Sequence, residues 1–413
     1  MPADANHPAP TPGDGKDLPT RPTDTPPAVP DYQLLRRIGK GAFGEVWLAR
    51  NALGTLRAVK VIHRAAFADA ADYERELTGV RNFEPISREH LGLVDLLDVG
   101  VNEAGGYFYY TMELADDASL SPDAGGQVPA SGFRPPASGI RSPAFGIQNP
   151  ATYRPLTLSA LLRAEGRLPL NECLRIGVAL TDALDFLHSQ GLIHRDIKPS
   201  NIIFVGGAPK LADVGTVTRV DEAKTMVGTE GFRAPEGPGK PQADLYSLGK
   251  ALYEISTGKD RQRFPEPLTK LADLTDRERW QEFNAVVEKA CQPEPTCRYP
   301  STTELRADLL TIQAGRSVRR QWLLEKRLKQ AGWGLAVVVL LVGSVIFVQY
   351  LRLREAERGH ALLELEQAIR PPHTAGWSDA AWKKASNAAV RFGFSTNLQS
   401  QAAASLAGLV LLC

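Results

Sequence analysis

A carboxylate, an ammonium two positions on and an amide five positions on stand in one stretch, His194-Arg195-Asp196-Ile197-Lys198-Pro199-Ser200-Asn201. The carboxylate of Asp196 can orient a hydroxyl and take its proton. Lys198 can balance charge on a phosphoryl group, and the amide oxygen of Asn201 can reach a divalent metal ion. Phosphoryl transfer from a nucleoside triphosphate requires these three services. Taken alone, the octapeptide is also what an ordinary polar loop looks like. Its weight depends on whether complementary groups stand elsewhere at compatible distances.

Four further patterns stand in order along the chain. Gly39-Lys-Gly41-Ala-Phe-Gly44-Glu-Val46 would let backbone amides approach phosphates without side chains in the way. The same spacing marks dinucleotide folds, but those need a helix after the glycines. Here strand-like Tyr32–Ile38 and Glu45–Arg50 flank them, which favours a hairpin over a nucleotide. Lys60, in Ala58-Val59-Lys60, can pair with phosphates once a carboxylate fixes it; viewed alone it is a surface lysine. Glu76 is the preferred partner because it lies beside the Leu77/Val80 stripe, with Glu74 as rival and an exposed glutamate as the bland alternative. Asp213-Val214-Gly215 follows strand-like Lys210-Leu211-Ala212 and offers a second metal ligand; the competing reading is a common Asp-x-Gly turn. Ala234-Pro235-Glu236 closes the segment that begins at Asp213 and holds Thr216, Thr218, Thr225 and Thr229.

The elements that must position these groups read as follows. The chain has 413 residues, 43% apolar, with a formal charge of +1. That suffices for a sizeable core and gives no argument for nucleic-acid binding. Four scattered cysteines suggest neither a disulfide framework nor zinc. Residues 1–30 are rich in Pro, Asp, Thr and Ala, lack an apolar signal-like run, and are expected to be disordered. Residues 32–64 read as strands with tight turns, 69–83 as a helix, and 91–114 as short β runs. Residues 116–155, rich in Pro, Gly, Ser and Ala without a period, are expected to be a disordered surface insertion. Helices are predicted over 171–190, with Asn171 as N-cap and Gly191 at C′, and over 243–257, 277–291 and 302–314. Residues 333–351 carry no charge and are long enough to cross a bilayer. Trp333 and Tyr350 lie at the ends. The denser basic flank (Arg316, Arg319, Arg320, Lys326, Arg327, Lys329) precedes the span, with Arg352, Arg354 and Arg358 after it, so the N-terminal part is expected to be cytoplasmic. Residues 316–332 form a basic juxtamembrane segment, and 352–413 a short helical tail outside the cytoplasm.

The joint pattern over residues 32–314 resembles bacterial eukaryotic-type (Hanks-type) Ser/Thr protein kinases, and the apolar span makes the layout resemble receptor-like members with a single transmembrane helix. The resemblance implies an α+β, bilobal protein-kinase fold in residues 31–315. A small β-rich N-lobe would cover 31–115, and a larger helical C-lobe 156–315. It implies ATP and Mg²⁺ as cofactors. It also implies transfer of the γ-phosphate to Ser/Thr hydroxyls of cytoplasmic proteins, autophosphorylation of the activation segment, and a place in the cell (inner) membrane. By the same resemblance Asp196 is the catalytic base and Lys198 contacts the γ-phosphate. Asn201 and Asp213 hold the metal, and Lys60 pairs with Glu76. ATP would lie among Ile38, Gly39, Gly41, Gly44, Val46 and Lys60. Met112 would be gatekeeper, with Glu113-Leu114 as the adenine-reading hinge. Asp244 would brace the catalytic loop, and Glu236 and Arg298 would form a buried ion pair. Arg195 could clasp a phosphothreonine. Thr225 and Thr229 are the phosphosite candidates, Thr229 better suited to the substrate platform. Val214 departs from the family's phenylalanine and puts the usual aromatic packing in doubt. A pseudokinase scaffold and a small-molecule kinase remain as alternatives, and homodimerisation through the membrane helix stays open.

Overall fold

The computed structural model describes residues 26–41, 44–120, 149–220, 228–266, 276–369 and 377–392. Thr225 and most of the expected insertion lie outside them. Five antiparallel strands form the first sheet: β1 (Tyr32–Lys40), β2 (Gly44–Asn51), β3 (Leu56–His63), β4 (Leu96–Asn102) and β5 (Tyr107–Met112), in the order β1-β2-β3-β5-β4. Side chains alternate between faces with period two. The register Val46↔Lys60↔Tyr110 therefore puts Lys60 on the same face as Val46, Ala58 and Met112. On the other face Ala49, Val59, Val61, Tyr107 and Tyr109 pack with Val29. Val29 belongs to the stretch expected to be disordered; the apolar patch beside β1 gives it a place to bury, and the Tyr107 hydroxyl donates to the Ala28 carbonyl at 2.6 Å.

Helix α1 (Ala70–Phe83) starts on Asp69, whose carboxylate accepts the Ala71 N–H at 2.9 Å. Its buried face carries Tyr73, Glu76, Leu77, Val80 and Phe83. Glu74 is exposed, so the helical period turns Glu76 inward and its rival out.

The remaining elements of the domain are mostly helical. They are α2 (Leu158–Glu165), α3 (Leu170–Ser189), β6 (Leu192–Ile193), β7 (Ile202–Val205), β8 (Ala208–Leu211), β9 (Thr218–Arg219), α4 (Pro241–Thr257), α5 (Arg277–Ala290) and α6 (Thr302–Gln313). Leu180, Leu184 and Leu187 of α3 are fully buried, and α4 is buried along nearly its whole length. Asn171 is not the cap of α3. Pro169 occupies that position, and the Asn171 side chain accepts from Arg279 of α5 at 3.1 Å. Gly191 closes α3 at φ 72°, the left-handed region glycine favours.

The ends of the expected insertion are structured. Asp117 pairs with Pro155, and the Ala118 N–H donates to the Arg154 carbonyl at 2.8 Å. The Asp116 carboxylate accepts the N–H groups of Gly206 and Gly207, each at 2.8 Å. Tyr153 is fully buried, with its hydroxyl donating to the Ala115 carbonyl at 3.0 Å. Composition masked these anchors, because each partner lies far off in sequence.

Residues 1–319 and 320–413 form two separate compact units. Helix α7 (Val318–Ile369) is the one helix among the described residues long and apolar enough to cross a membrane by length and composition. Its side chains from Trp333 to Leu351 are exposed. Residues 333–351 as a helix measure about 28 Å, close to the thickness of a bilayer's hydrocarbon layer. A shorter helix, α8 (Trp377–Phe392), follows.

Candidate active site

The stretch His194–Asn201 leaves β6 and is held from below by α4. Both Asp244 oxygens accept backbone N–H groups at 2.8 Å, Oδ2 from His194 and Oδ1 from Arg195. Oδ2 also meets His188 Nε2 at 2.9 Å. Burial pushes the Asp244 carboxyl up, but His188 and these donors override it and hold it below the usual carboxylate range. Arg195 takes a left-handed backbone, φ 73°, a conformation that costs a non-glycine residue and persists only where the surroundings enforce it. Here Asp244 grips the two successive peptides that lead into Arg195.

That bend presents Asp196. Its Oδ2 receives Lys198 Nζ at 2.6 Å and Asn201 Nδ2 at 2.9 Å. Its Oδ1 receives the Thr229 hydroxyl at 2.8 Å and the Thr229 N–H at 3.0 Å. Lys198 Nζ also donates to Thr229 Oγ1 at 2.7 Å, so four side chains, Asp196, Lys198, Asn201 and Thr229, share one network. Thr229 therefore has its hydroxyl engaged, the surroundings of a positioning group rather than of an exposed phosphate acceptor.

Across the cleft, Lys60 forms an ion pair with Asp213. The expected Lys60–Glu76 pair is not formed. The Asp213 backbone is left-handed, φ 60° and ψ 64°, and its carboxylate engages the β3 lysine. Burial opposes the Lys60 charge, but Asp213, assisted by Tyr110 and Glu76, keeps the ammonium above its usual range. Burial likewise pushes Asp213 up, and Lys60 overrides it, leaving the carboxylate below its usual range. Glu76 is nearby and 8% exposed; burial raises its carboxyl to about 7 despite the attraction of Lys60. Close packing brings it there. A Cβ on Gly79 would meet the carbonyl oxygens of Val217 and Gly215 at 2.5 and 2.8 Å, so only glycine lets α1 lie this near the turn after Asp213. A Cβ on Gly215 would collide with the Glu76 carboxylate.

The glycine hairpin roofs this region. The Gly41 N–H donates to the Gly44 carbonyl at 2.8 Å, and a Cβ on Gly44 would meet the Val61 carbonyl oxygen at 2.2 Å. Gly39 faces Val46 across the β1–β2 pair, and Ile38 and Val46 are half-buried. Met112 ends β5, followed by Glu113 and Leu114. The Glu113 carboxylate is occupied by protein partners: Lys210 Nζ at 2.5 Å and the Asp95 N–H at 2.9 Å. The Glu113 N–H donates to the Asp95 carbonyl at 3.1 Å, which leaves the Glu113 carbonyl as its backbone group for a ligand. The part played by Lys210 was missed in the sequence; the one signal was a lysine three positions before Asp213. The large lobe also holds Glu236 on Arg298 by two hydrogen bonds, 2.5 and 2.7 Å, with the Arg298 side chain fully buried.

For a metal ion the donor set is two oxygens. Asn201 spends its Nδ2 on the carbonyl and carboxylate of Asp196, which fixes the amide and leaves Oδ1 as its acceptor. Asp213 stays ionised. Hard oxygen donors of this kind suit a small divalent cation that brings its own waters and phosphate oxygens.

A β-rich lobe and a helical lobe that bring a lysine–aspartate pair and an aspartate–lysine–asparagine loop together define the bilobal protein-kinase fold. Residues 152–311 match the protein kinase domain family. The serine/threonine-protein kinase PknB of Mycobacterium leprae is 28% identical over 316 residues, covering 70% of this chain and 44% of that protein. PknB of Mycolicibacterium smegmatis is 28% identical over 324 residues, 71% of this chain and 45% of the relative. PknA of Mycobacterium tuberculosis is 29% identical over 242 residues, 55% and 47%. The chain spans less than half the length of these relatives. Its residues 152–311 carry a protein kinase domain, and the relatives it resembles are bacterial serine/threonine-protein kinases.

Proposed function

We propose that this chain is a membrane-anchored protein kinase that transfers the γ-phosphate of ATP to serine and threonine hydroxyls of cytoplasmic proteins. The observation that carries this reading is the hydrogen-bonded set Asp196–Lys198–Asn201–Thr229 facing the Lys60–Asp213 ion pair. A substrate hydroxyl would be oriented by Asp196, which takes its proton as the oxygen attacks the γ-phosphorus and the bond to the β-bridging oxygen breaks. Lys198 would hold charge on the transferred group, and its reach to Thr229 keeps it beside the base. Lys60 would bind phosphate oxygens. Asn201 and Asp213 are the residues to hold Mg²⁺, which when bound neutralises charge on the phosphate oxygens. Ile38, Val46 and Ala58 are suited to hold the adenine ring, and the Glu113–Leu114 backbone to read its edge. Thr225, in the segment after Asp213, is the phosphosite proposed to engage Arg195.

Anchoring rests on the apolar run 333–351 in α7 and on its basic flanks. The reading places the span in the inner membrane with the kinase domain on the cytoplasmic side. Full-length protein incubated with labelled ATP, Mg²⁺ and a generic protein acceptor should label serine and threonine, and the Asp196→Asn chain should not. Equal labelling by the two, or none by either, sinks the proposal. Extraction of the full chain from membranes by alkaline carbonate, without detergent, would sink the anchoring.

A further inference from the structure

Behind the hinge lies a set of charges that the chemistry above does not use, two of them buried and the third, Asp95, half-buried. Glu113 is 7% exposed. Its Oε1 accepts Lys210 Nζ at 2.5 Å and the Asp95 N–H at 2.9 Å, while its own N–H donates to the Asp95 carbonyl at 3.1 Å. Lys210, also 7% exposed, reaches Asp95 Oδ1 at 3.3 Å as well. The three residues come from three places: the approach to β4, the exit of β5, and β8. Strand β8 is itself fixed, because the Leu211 N–H donates to the Gly92 carbonyl at 2.8 Å and the Val94 N–H to the Leu211 carbonyl at 3.0 Å. Two residues after Leu211 comes Asp213.

From this geometry we propose that Lys210 is a positioning residue for nucleotide binding: it fixes the peptide of Glu113, and so the backbone edge offered to the base, relative to the strand that carries Asp213. The proposal rests on the kinase reading above. A buried carboxylate without its cation is costly. Burial already pushes the Glu113 carboxyl up, and Lys210 is its main counterweight. Without Lys210, Glu113 must take a proton or swing toward water, and in either case the peptide that meets adenine loses its anchor. The groups proposed to meet the phosphates, Lys60, Lys198 and Asp213, touch none of these atoms, so the loss should appear in ATP affinity more than in turnover.

The test is steady-state kinetics on the full chain. Lys210→Met should raise KM for ATP about tenfold while kcat falls less than about threefold. Lys210→Arg should recover most of the loss, and KM for the protein acceptor should not move. Asp95→Asn, which keeps the backbone bonds and removes one charge, should raise KM for ATP about twofold and serves if Lys210→Met does not fold. Adding Glu113→Gln to Lys210→Met should cost little more than Lys210→Met alone, since the two act through one contact. An unchanged KM for ATP in Lys210→Met or Asp95→Asn, with only a lowered Tm, would mark the set as plain scaffolding and overturn the proposal. A rise in kcat at constant KM would overturn it too, by showing a restraint. A wild-type chain that consumes no ATP defeats the kinase reading itself; an active wild type with a silent Lys210 defeats this inference alone.

Discussion

The two walls of the cleft are built on different terms. On the helical side, Asp196 accepts four hydrogen bonds, from Lys198, Asn201 and twice from Thr229, and Asp244 holds the peptides beneath it. Every donor belongs to the same lobe, most within a few residues. On the sheet side one lysine faces two carboxylates, Asp213 and Glu76, from different elements, and is bonded to one of them. The group proposed to handle the proton is thus fixed by saturation, whereas the group proposed to handle phosphate depends on a choice between partners. Buried networks with every member satisfied rigidify a site, and those with a spare member leave it conditional.

Four changes would break or sharpen that contrast. The largest effect is expected at the saturated wall: Asp196→Asn should lower kcat about 10³-fold while Tm shifts by only a few degrees. A loss under tenfold would mean that the carboxylate does not handle the proton. At the opposite wall, Lys60→Met should lower kcat/KM about 10²-fold. It should also leave Asp213 without the cation that keeps it ionised, so its carboxyl resonance, followed by NMR, should titrate at higher pH than in wild type.

The third concerns Glu76, whose carboxyl sits at about 7 in the fold against 4.5 ordinarily. Below pH 4.5 both folded and unfolded chains hold the proton, and nothing is lost. Between 4.5 and 7 the unfolded chain ionises first, so stability falls as pH rises; above 7 the loss is complete, about 3 kcal/mol. Glu76→Gln should be spared this, and urea midpoints from pH 4.5 to 8 should fall for wild type relative to the variant. Parallel curves would mean that Glu76 is ionised throughout and that the corner has no spare member. The smallest effect is expected for Thr229→Ala, about tenfold in kcat/KM, because the Thr229 N–H still donates to Asp196. Thr229→Ser should stay near wild type.

Fold class was legible because its signals are local. The glycine hairpin, the strand alternation around Lys60 and the leucine stripe of α3 each occupy a short window, and α1 shows its buried face through Tyr73, Leu77 and Val80. Proximity in the candidate site was legible only where a motif carried it. Asp196, Lys198 and Asn201 are neighbours in sequence; the choice of Asp213 over Glu76 by Lys60 depends on a left-handed backbone at Asp213 and on two glycines that let α1 approach. The hold of Lys210 on Glu113, 97 residues apart, follows from which strands lie side by side, and that is not written in any short pattern. Tyr153 was lost inside a stretch whose composition said loop.

Asp117, Ala118, Arg154 and Pro155 cross just where the chain leaves the hinge and returns to it, clasped like the drawn neck of a purse. Both margins are pinned independently of what lies between them, by Asp116 on Gly206 and Gly207 and by Tyr153 on Ala115. A chain in which a short Gly-Ser bridge joins residues 120 and 149 should keep the Ala118–Arg154 hydrogen bond and the Asp117–Pro155 bridge, and with them the backbone proposed to face the nucleotide. The paired margins thereby offer a grafting port beside the edge proposed to read ATP.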